Sequence, residues 1–167
     1  MDRFIDKNVR LNIVTTLGGQ MRHHTKDKGD AGLGFVIADL LSKGIQVALP
    51  ISEHLSFDCI AISETNQLLR LSVKYRAVAR GTIMVPLKSC WADRHGVHIK
   101  KHNKSSYAAT AIYCPTTDCC YYIPNDAVSW GICLRMQPSK NHQCKGVKLA
   151  GDFADPMQLF GRSSPIG

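Results

Sequence analysis

From Leu69 to Arg76 the chain alternates apolar and polar residues at every step: Leu69, Leu71, Val73 and Tyr75 against Arg70, Ser72, Lys74 and Arg76. A period of two belongs to an extended strand, whose successive side chains point to opposite faces. The segment therefore predicts a strand with one dry face and one polar, cationic face. Taken alone, the same pattern also fits an ordinary half-exposed strand.

The flanking sequence builds a sheet around it. Residues 57–62 read as a preceding strand, joined through a turn at Thr65-Asn66-Gln67 to a strand over 68–75. Further strands are predicted at 45–49, 82–87, 108–113, 119–123 and 131–136, with Pro115-Thr116-Thr117-Asp118 closing a hairpin and a short helix starting at Asn125-Asp126. Ahead of them all, residues 26–43 predict a helix. Leu33, Ile37, Leu40 and Leu41 recur at helical spacing, and Val36 widens the stripe. Asp27 and Asp30 suit its N-terminal turn, and Gly44 suits its stop. Gly29, Gly32 and Gly34 near its start suggest close backbone packing. No strand precedes them, so they are a weak phosphate-loop signal. A helix followed by a strand meander and more strands is an α+β pattern with a mixed sheet.

At 167 residues the chain suits one domain with short extensions. The expected division is an N-terminal extension over 1–24, a core over 25–137 and a C-terminal segment over 138–167. No run of eighteen apolar residues occurs, and the start, MDRFIDKNVRLNIV, lacks the apolar core of a secretory signal. The expectation is a cytoplasmic protein that does not engage a membrane. Seven cysteines, an odd count at irregular spacing, argue against a disulfide framework. A zinc site drawn from Cys114, Cys119 or Cys120, Cys133, and Cys144 or His142 would lack the usual CxxC knuckles, so the cysteines read as small core residues.

Charge narrows the partner. Lys and Arg total 21 against 13 acids, a net +8, which favours a polyanion such as nucleic acid or an anionic surface. The cations concentrate in the stretch 88–104, KSCWADRHGVHIKKHNK. It holds Lys88, Arg94, Lys100, Lys101 and Lys104 against Asp93 alone, with Trp91 at its head. Such a stretch suits phosphate tracking with an aromatic contact, and Arg76 and Arg80 add to the cationic set. The competing reading is a solvated loop between strands.

Asp58 sits at the start of the strand before Leu68. If the two strands pair through their short turn, Asp58 lies near Lys74. An aspartate and a lysine so placed suit a metal-and-charge site. Asp58 would hold Mg2+ or Mn2+, the Val73 carbonyl could add a ligand, and Lys74 would orient or deprotonate a water and stabilise developing charge on phosphorus. The alternative is a simple Asp–Lys surface pair.

The stretches KGDAGLGFVIADLLSKGIQVALPISEHLSFDCIAI, LRLSVKYR, YCPTTDCCYYIP and KNHQCKG together resemble the PD-(D/E)XK endonucleases associated with cyanobacterial group I introns. The resemblance spans roughly 26–156. It implies a restriction-endonuclease-like core, a mixed β-sheet flanked by helices, and metal-dependent hydrolysis of phosphodiester bonds in double-stranded DNA. Asp58 falls on the family's metal aspartate and Lys74 on its motif lysine. Ser72 falls where the family normally has Glu, Asp or Gln, and Leu33 where many relatives carry a helix glutamate. Asp30 and Glu53 are the nearest acids that could substitute. The resulting expectation is a homing-type endonuclease, a homodimer or homotetramer because cutting two strands needs two sites. The rivals are a DNA-binding module that kept the fold and lost efficient catalysis, and a junction or repair nuclease on the same fold.

Overall fold

The alternating strand lies at the middle of a five-stranded sheet. In the computed structural model, which describes residues 24–52, 54–94, 96–101, 106–127, 131–138 and 146–161, the chain enters through one α-helix, α1 (His24–Ser42). Three antiparallel neighbours follow: β1 (Gln46–Ala48), β2 (Cys59–Ile62) and β3 (Leu68–Tyr75). Next come β4 (Thr82–Pro86), a hairpin of β5 (Lys88–Asp93) and β6 (Gly96–Lys101), then β7 (Ala109–Cys114), β8 (Cys119–Pro124), β9 (Gly131–Arg135) and β10 (Lys148–Leu149). The main sheet runs β1-β2-β3-β7-β8, with β3 and β7 parallel and the other pairs antiparallel. The fold is α+β with a mixed sheet, as the sequence pattern predicts.

Helix α1 covers the inner face of this sheet. Val36 and Leu40 are fully buried against Cys59, Ala61, Leu69, Leu71, Ala109, Ala111, Cys120 and Tyr122. The buried row is Gly32, Val36 and Leu40, four residues apart, while Leu33 is only partly buried and Leu41 is 55% exposed. The expected stripe is thus corrected. The helix lies on the sheet along its i, i+4 line, which turns Leu41 outward.

Gly32 sets how close that approach is. A Cβ at Gly32 would stand 3.2 Å from the Tyr75 Cβ, whereas Gly29 and Gly34 have nothing within 4 Å of theirs. Of the three glycines, only Gly32 has the close-packing role expected of them. At its other end α1 is tied down by Asp39. Its Oδ2 accepts from the Tyr122 hydroxyl at 2.7 Å and pairs with Lys43 Nζ at 2.7 Å. Lys43 also donates to the Ala154 carbonyl at 3.0 Å.

A second sheet, ordered β10-β9-β4, covers half of the outer face. Ile83, Val85, Ile132 and Leu134 pack on Ile112, Cys114, Tyr121 and Ile123. Strands β7 and β8 are consequently buried on both faces, which explains their nearly unbroken apolar runs ATAIYC and CCYYIP. Among the described residues no second sheet lies over the outer face of β1–β3, and Arg70 and Leu68 are exposed there. The cationic stretch is paired backbone over most of its length and not a solvated loop: β5 and β6 register Lys88 with Lys101 and Trp91 with His98. No helix among the described residues is long and apolar enough to cross a membrane.

The glycine geometry predicts opposite effects two residues apart. Gly34→Ala, in an exposed helix interior with open space, should stabilise by about 0.5–1 kcal/mol. Gly32→Val should destabilise by about 1–3 kcal/mol, because the new atoms meet the Tyr75 Cβ. Urea unfolding of the two variants against the wild type measures both.

Candidate functional site

Strand β2 stops pairing one residue before Asp58 would join it. Cys59 pairs with Leu71, and the Asp58 N–H donates to the Leu71 carbonyl at 2.8 Å. Beyond that point β3 continues without β2 alongside. The Val73 N–H, on the vacated edge, donates instead to Oδ2 of Asp58 at 2.5 Å. The Ser72 hydroxyl donates to the same Oδ2 at 3.2 Å, and Lys74 Nζ donates to the Ser72 Oγ at 3.0 Å. The sheet thus brings Asp58, Ser72 and Lys74 together, as the strand register predicts. The link between aspartate and lysine is not the simple Asp–Lys pair of the alternative reading. No Asp58–Lys74 ion pair within 4 Å forms, and the serine hydroxyl stands between them.

Burial sharpens this arrangement. Ser72 is 3% exposed, Asp58 and Lys74 are half-buried, and the cross-strand partner of Ser72 is the fully buried Thr110. Behind them Thr110 Oγ1 donates to Asn125 Oδ1 at 3.5 Å, and Asn125 Nδ2 donates to the Tyr107 carbonyl at 2.7 Å. Sequence reading did not single out this polar layer, because Thr110 and Asn125 lie in apolar surroundings with no motif around them. Burial lowers the Lys74 pKa from its ordinary value; the Asp58 charge partly offsets this, and the Arg76 charge adds to the lowering. Next door, burial and then the Asp58 charge push the Cys59 thiol up to about 12, which leaves it a protonated core residue.

Two oxygens stand out as metal donors. Both donors to Asp58 use Oδ2, and among the described residues no hydrogen bond reaches Oδ1. In an extended strand the N–H and C=O of one residue leave toward the same edge. The Val73 carbonyl therefore points to the edge where β2 has ended, alongside Asp58. One carboxylate and one carbonyl suit Mg2+ or Mn2+, hard cations that keep several waters and take further oxygens from a bound phosphate.

The other anticipated ligands do not gather here. Leu33 is packed against the helix-side core. Asp30 is exposed on α1, and Glu53 lies outside the described residues. Among the described residues no group of three His, Cys, Asp or Glu side chains could hold a metal. Of the zinc candidates, Cys114 and Cys119 are cross-strand partners at the end of the β7–β8 hairpin, Cys120 follows on β8 and Cys133 lies on β9, with Cys144 and His142 outside the described residues; Cys114 and Cys120 are buried as core residues, whereas Cys119 and Cys133 are exposed.

The expected phosphate contacts occupy several places. Arg76 is exposed just past β3, with Nη1 donating to the Tyr75 carbonyl at 2.9 Å. Arg80 is exposed in the tight turn before β4, at φ 51. Lys88, Lys100 and Lys101 lie on the β5–β6 hairpin and Arg94 at its tip; Lys104 lies outside the described residues. Lys28, which opens the KGDAGLG stretch and was not among the expected phosphate contacts, holds its ammonium 6.0 Å from the Tyr75 ring centre, on the α1 side of the same strand end.

The sequence profile of the PD-(D/E)XK endonucleases matches residues 23–156, and the chain belongs to that family. Two solved structures are similar to it. A bacterial homing endonuclease, I-Ssp6803I, superposes with a TM-score of 0.66 at 20% identity, over 83% of this chain and 93% of that one. The Holliday junction resolvase Hjc of Archaeoglobus fulgidus, an archaeal hyperthermophile, superposes with a TM-score of 0.45 at 12% identity, over 82% and 98%. Among curated proteins, no sequence matches.

The lowered Lys74 pKa carries a stability consequence with a definite sign. The unfolded lysine holds its proton up to about pH 10.4, and the folded one releases it earlier. Burying the charged form is therefore a cost that is fully present below the folded-state pKa and fades as pH rises toward the unfolded value. Lys74→Met should remove that cost. Its stability advantage over the wild type in urea unfolding should be largest near neutrality and shrink toward pH 10. An advantage independent of pH would contradict the argument.

Proposed function

We propose that the chain is a divalent-metal-dependent endonuclease that hydrolyses phosphodiester bonds in double-stranded DNA, of the homing type, working as a homodimer or homotetramer. The observation that carries this reading is the hydrogen-bonded series Asp58–Ser72–Lys74 at the end of β3 in a chain of this family. Asp58 Oδ1 and the Val73 carbonyl would hold Mg2+ or Mn2+. When bound, such an ion activates water and offsets charge on the phosphate. Lys74 supplies the second positive charge, directed at the non-bridging oxygens or the attacking water as charge builds on phosphorus. A water oxygen bonds to phosphorus and gives up a proton, one bridging P–O bond breaks, and the leaving alkoxide takes up a proton.

Binding and chemistry would use different residues. The net charge of +8 and the basic hairpin suit phosphate contacts spread over the duplex backbone. Arg76, Arg80 and Arg94, with Lys88, Lys100, Lys101 and Lys104, are the proposed contacts. A second reading, a DNA-binding module with weakened catalysis, draws on one observation: Ser72 stands where a second acid would lie, so the described site contains a single carboxylate.

Cleavage of supercoiled plasmid with Mg2+ or Mn2+ separates the two. For the nuclease, Asp58→Asn and Lys74→Ala should each slow cleavage by ~100-fold or more while DNA affinity stays near wild type. A wild type that binds DNA but leaves it intact with both metals favours the binding module. Replacing Lys100 and Lys101 together with neutral residues should weaken binding and lower the slope of log K against log salt by about one unit for each phosphate no longer neutralised. Unchanged affinity and slope would remove the hairpin from the interface.

A further inference from the structure

We infer that Ser72 acts as a bridge that holds the Lys74 ammonium beside Asp58, and is not itself a metal ligand. This rests on the endonuclease reading and assigns Ser72 a part in it as a positioning residue. The argument begins with the hydroxyl's bonding capacity. A serine has one proton to give and two lone pairs to offer. The proton goes to Asp58 Oδ2 at 3.2 Å, and one lone pair accepts from Lys74 Nζ at 3.0 Å. A divalent cation on the remaining lone pair would share one neutral oxygen with an ammonium, so two cations would face each other across it. Burial also opposes ligation, because a residue 3% exposed and paired with the fully buried Thr110 has little room for a hydrated ion. Asp58 Oδ1 and the Val73 carbonyl, on the strand edge, take no part in the hydroxyl's hydrogen bonds.

The bridge gives the lysine something it otherwise lacks. Its stem is flexible and its ammonium makes no direct ion pair with Asp58 within 4 Å. The serine fixes where the charge sits relative to the carboxylate, so that metal and ammonium approach a phosphate from separate positions around Asp58.

The test compares Ser72→Ala and Ser72→Thr with the wild type, using the full chain. Calorimetric titration with Mn2+ gives metal affinity, and plasmid cleavage gives the rate at saturating Mn2+. A bridge predicts that Ser72→Ala keeps Mn2+ affinity within about twofold, yet cuts about tenfold or more slowly, from loss of a hydrogen bond to a charged group. Ser72→Thr, which keeps the hydroxyl, should recover most of that rate. Three results overturn the inference. In one, Ser72→Ala loses Mn2+ affinity tenfold and recovers its rate at higher Mn2+, which makes Ser72 a ligand. In another, Ser72→Ala matches the wild type in both measurements. In the last, a folded Ser72→Thr is as slow as Ser72→Ala. Failure of the endonuclease reading shows separately, as a wild type that neither binds Mn2+ nor cuts before any variant is compared.

Discussion

One carboxylate oxygen closes the end of a β-ladder, and the arrangement of the site follows from it. Where β2 gives out at Cys59, the Val73 N–H would lose its strand partner, and a backbone donor in a half-buried sheet needs another acceptor. Asp58 supplies it from the residue just outside the strand. The same oxygen then accepts from Ser72, which lies on the outer face. The carboxylate is thus anchored to both the edge and the face of β3. Its position depends on the β2–β3 register, which the turn helps to fix: Ser63 accepts from the Asn66 N–H, and Gln67 accepts from the Ser63 N–H. A slip of one residue would move Cys59 and Ala61 out of the helix-side core and carry Asp58 off Val73.

The two faces of the sheet explain why the polar cluster is half-buried. Helix α1 covers the inner face from β1 to β8, whereas among the described residues the second sheet covers the outer face over β7 and β8. Strand β3 is the border. Along its outer face Ser72 is buried, Lys74 half-buried and Arg70 exposed. A lysine at such a border stays partly exposed yet is dry enough for its charged form to be disfavoured.

Much of this was legible from local pattern. The alternation in β3, the turn at Asn66, the β7–β8 hairpin and the helix all follow from short-range period and turn chemistry, and their observed bounds differ from expectation by at most two residues. The Asp58–Lys74 proximity followed from the hairpin register. What escaped was set by long-range packing. Nothing local joins Thr82 to Arg135 across the second sheet, or Lys148 to Leu134 beside it. The choice of Gly32, Val36 and Leu40 over Leu41 as the buried row depends on where the sheet meets the helix. The basic stretch carries a charge signal strong enough to hide its strand pairing, since Lys, His and Asn are poor markers of a hairpin. The place of the Ser72 hydroxyl between two charges is a matter of ångströms that no residue pattern encodes.

Why a serine can stand at position 72 follows from charge balance. A second carboxylate there would be almost fully buried beside Asp58, and two anions so close would repel unless a cation lay between them. With serine, Asp58 and Lys74 leave the site formally neutral, and every hydrogen bond in the series has both a donor and an acceptor. The fold therefore needs no metal to relieve repulsion. The same neutrality weakens the attraction for a divalent ion, which would meet one free carboxylate oxygen and a carbonyl. Further negative charge would have to arrive with the phosphate itself. In the proposed endonuclease a bound phosphate would tighten the hold on the ion, so the basic surface proposed to gather the polyanion would also favour the metal.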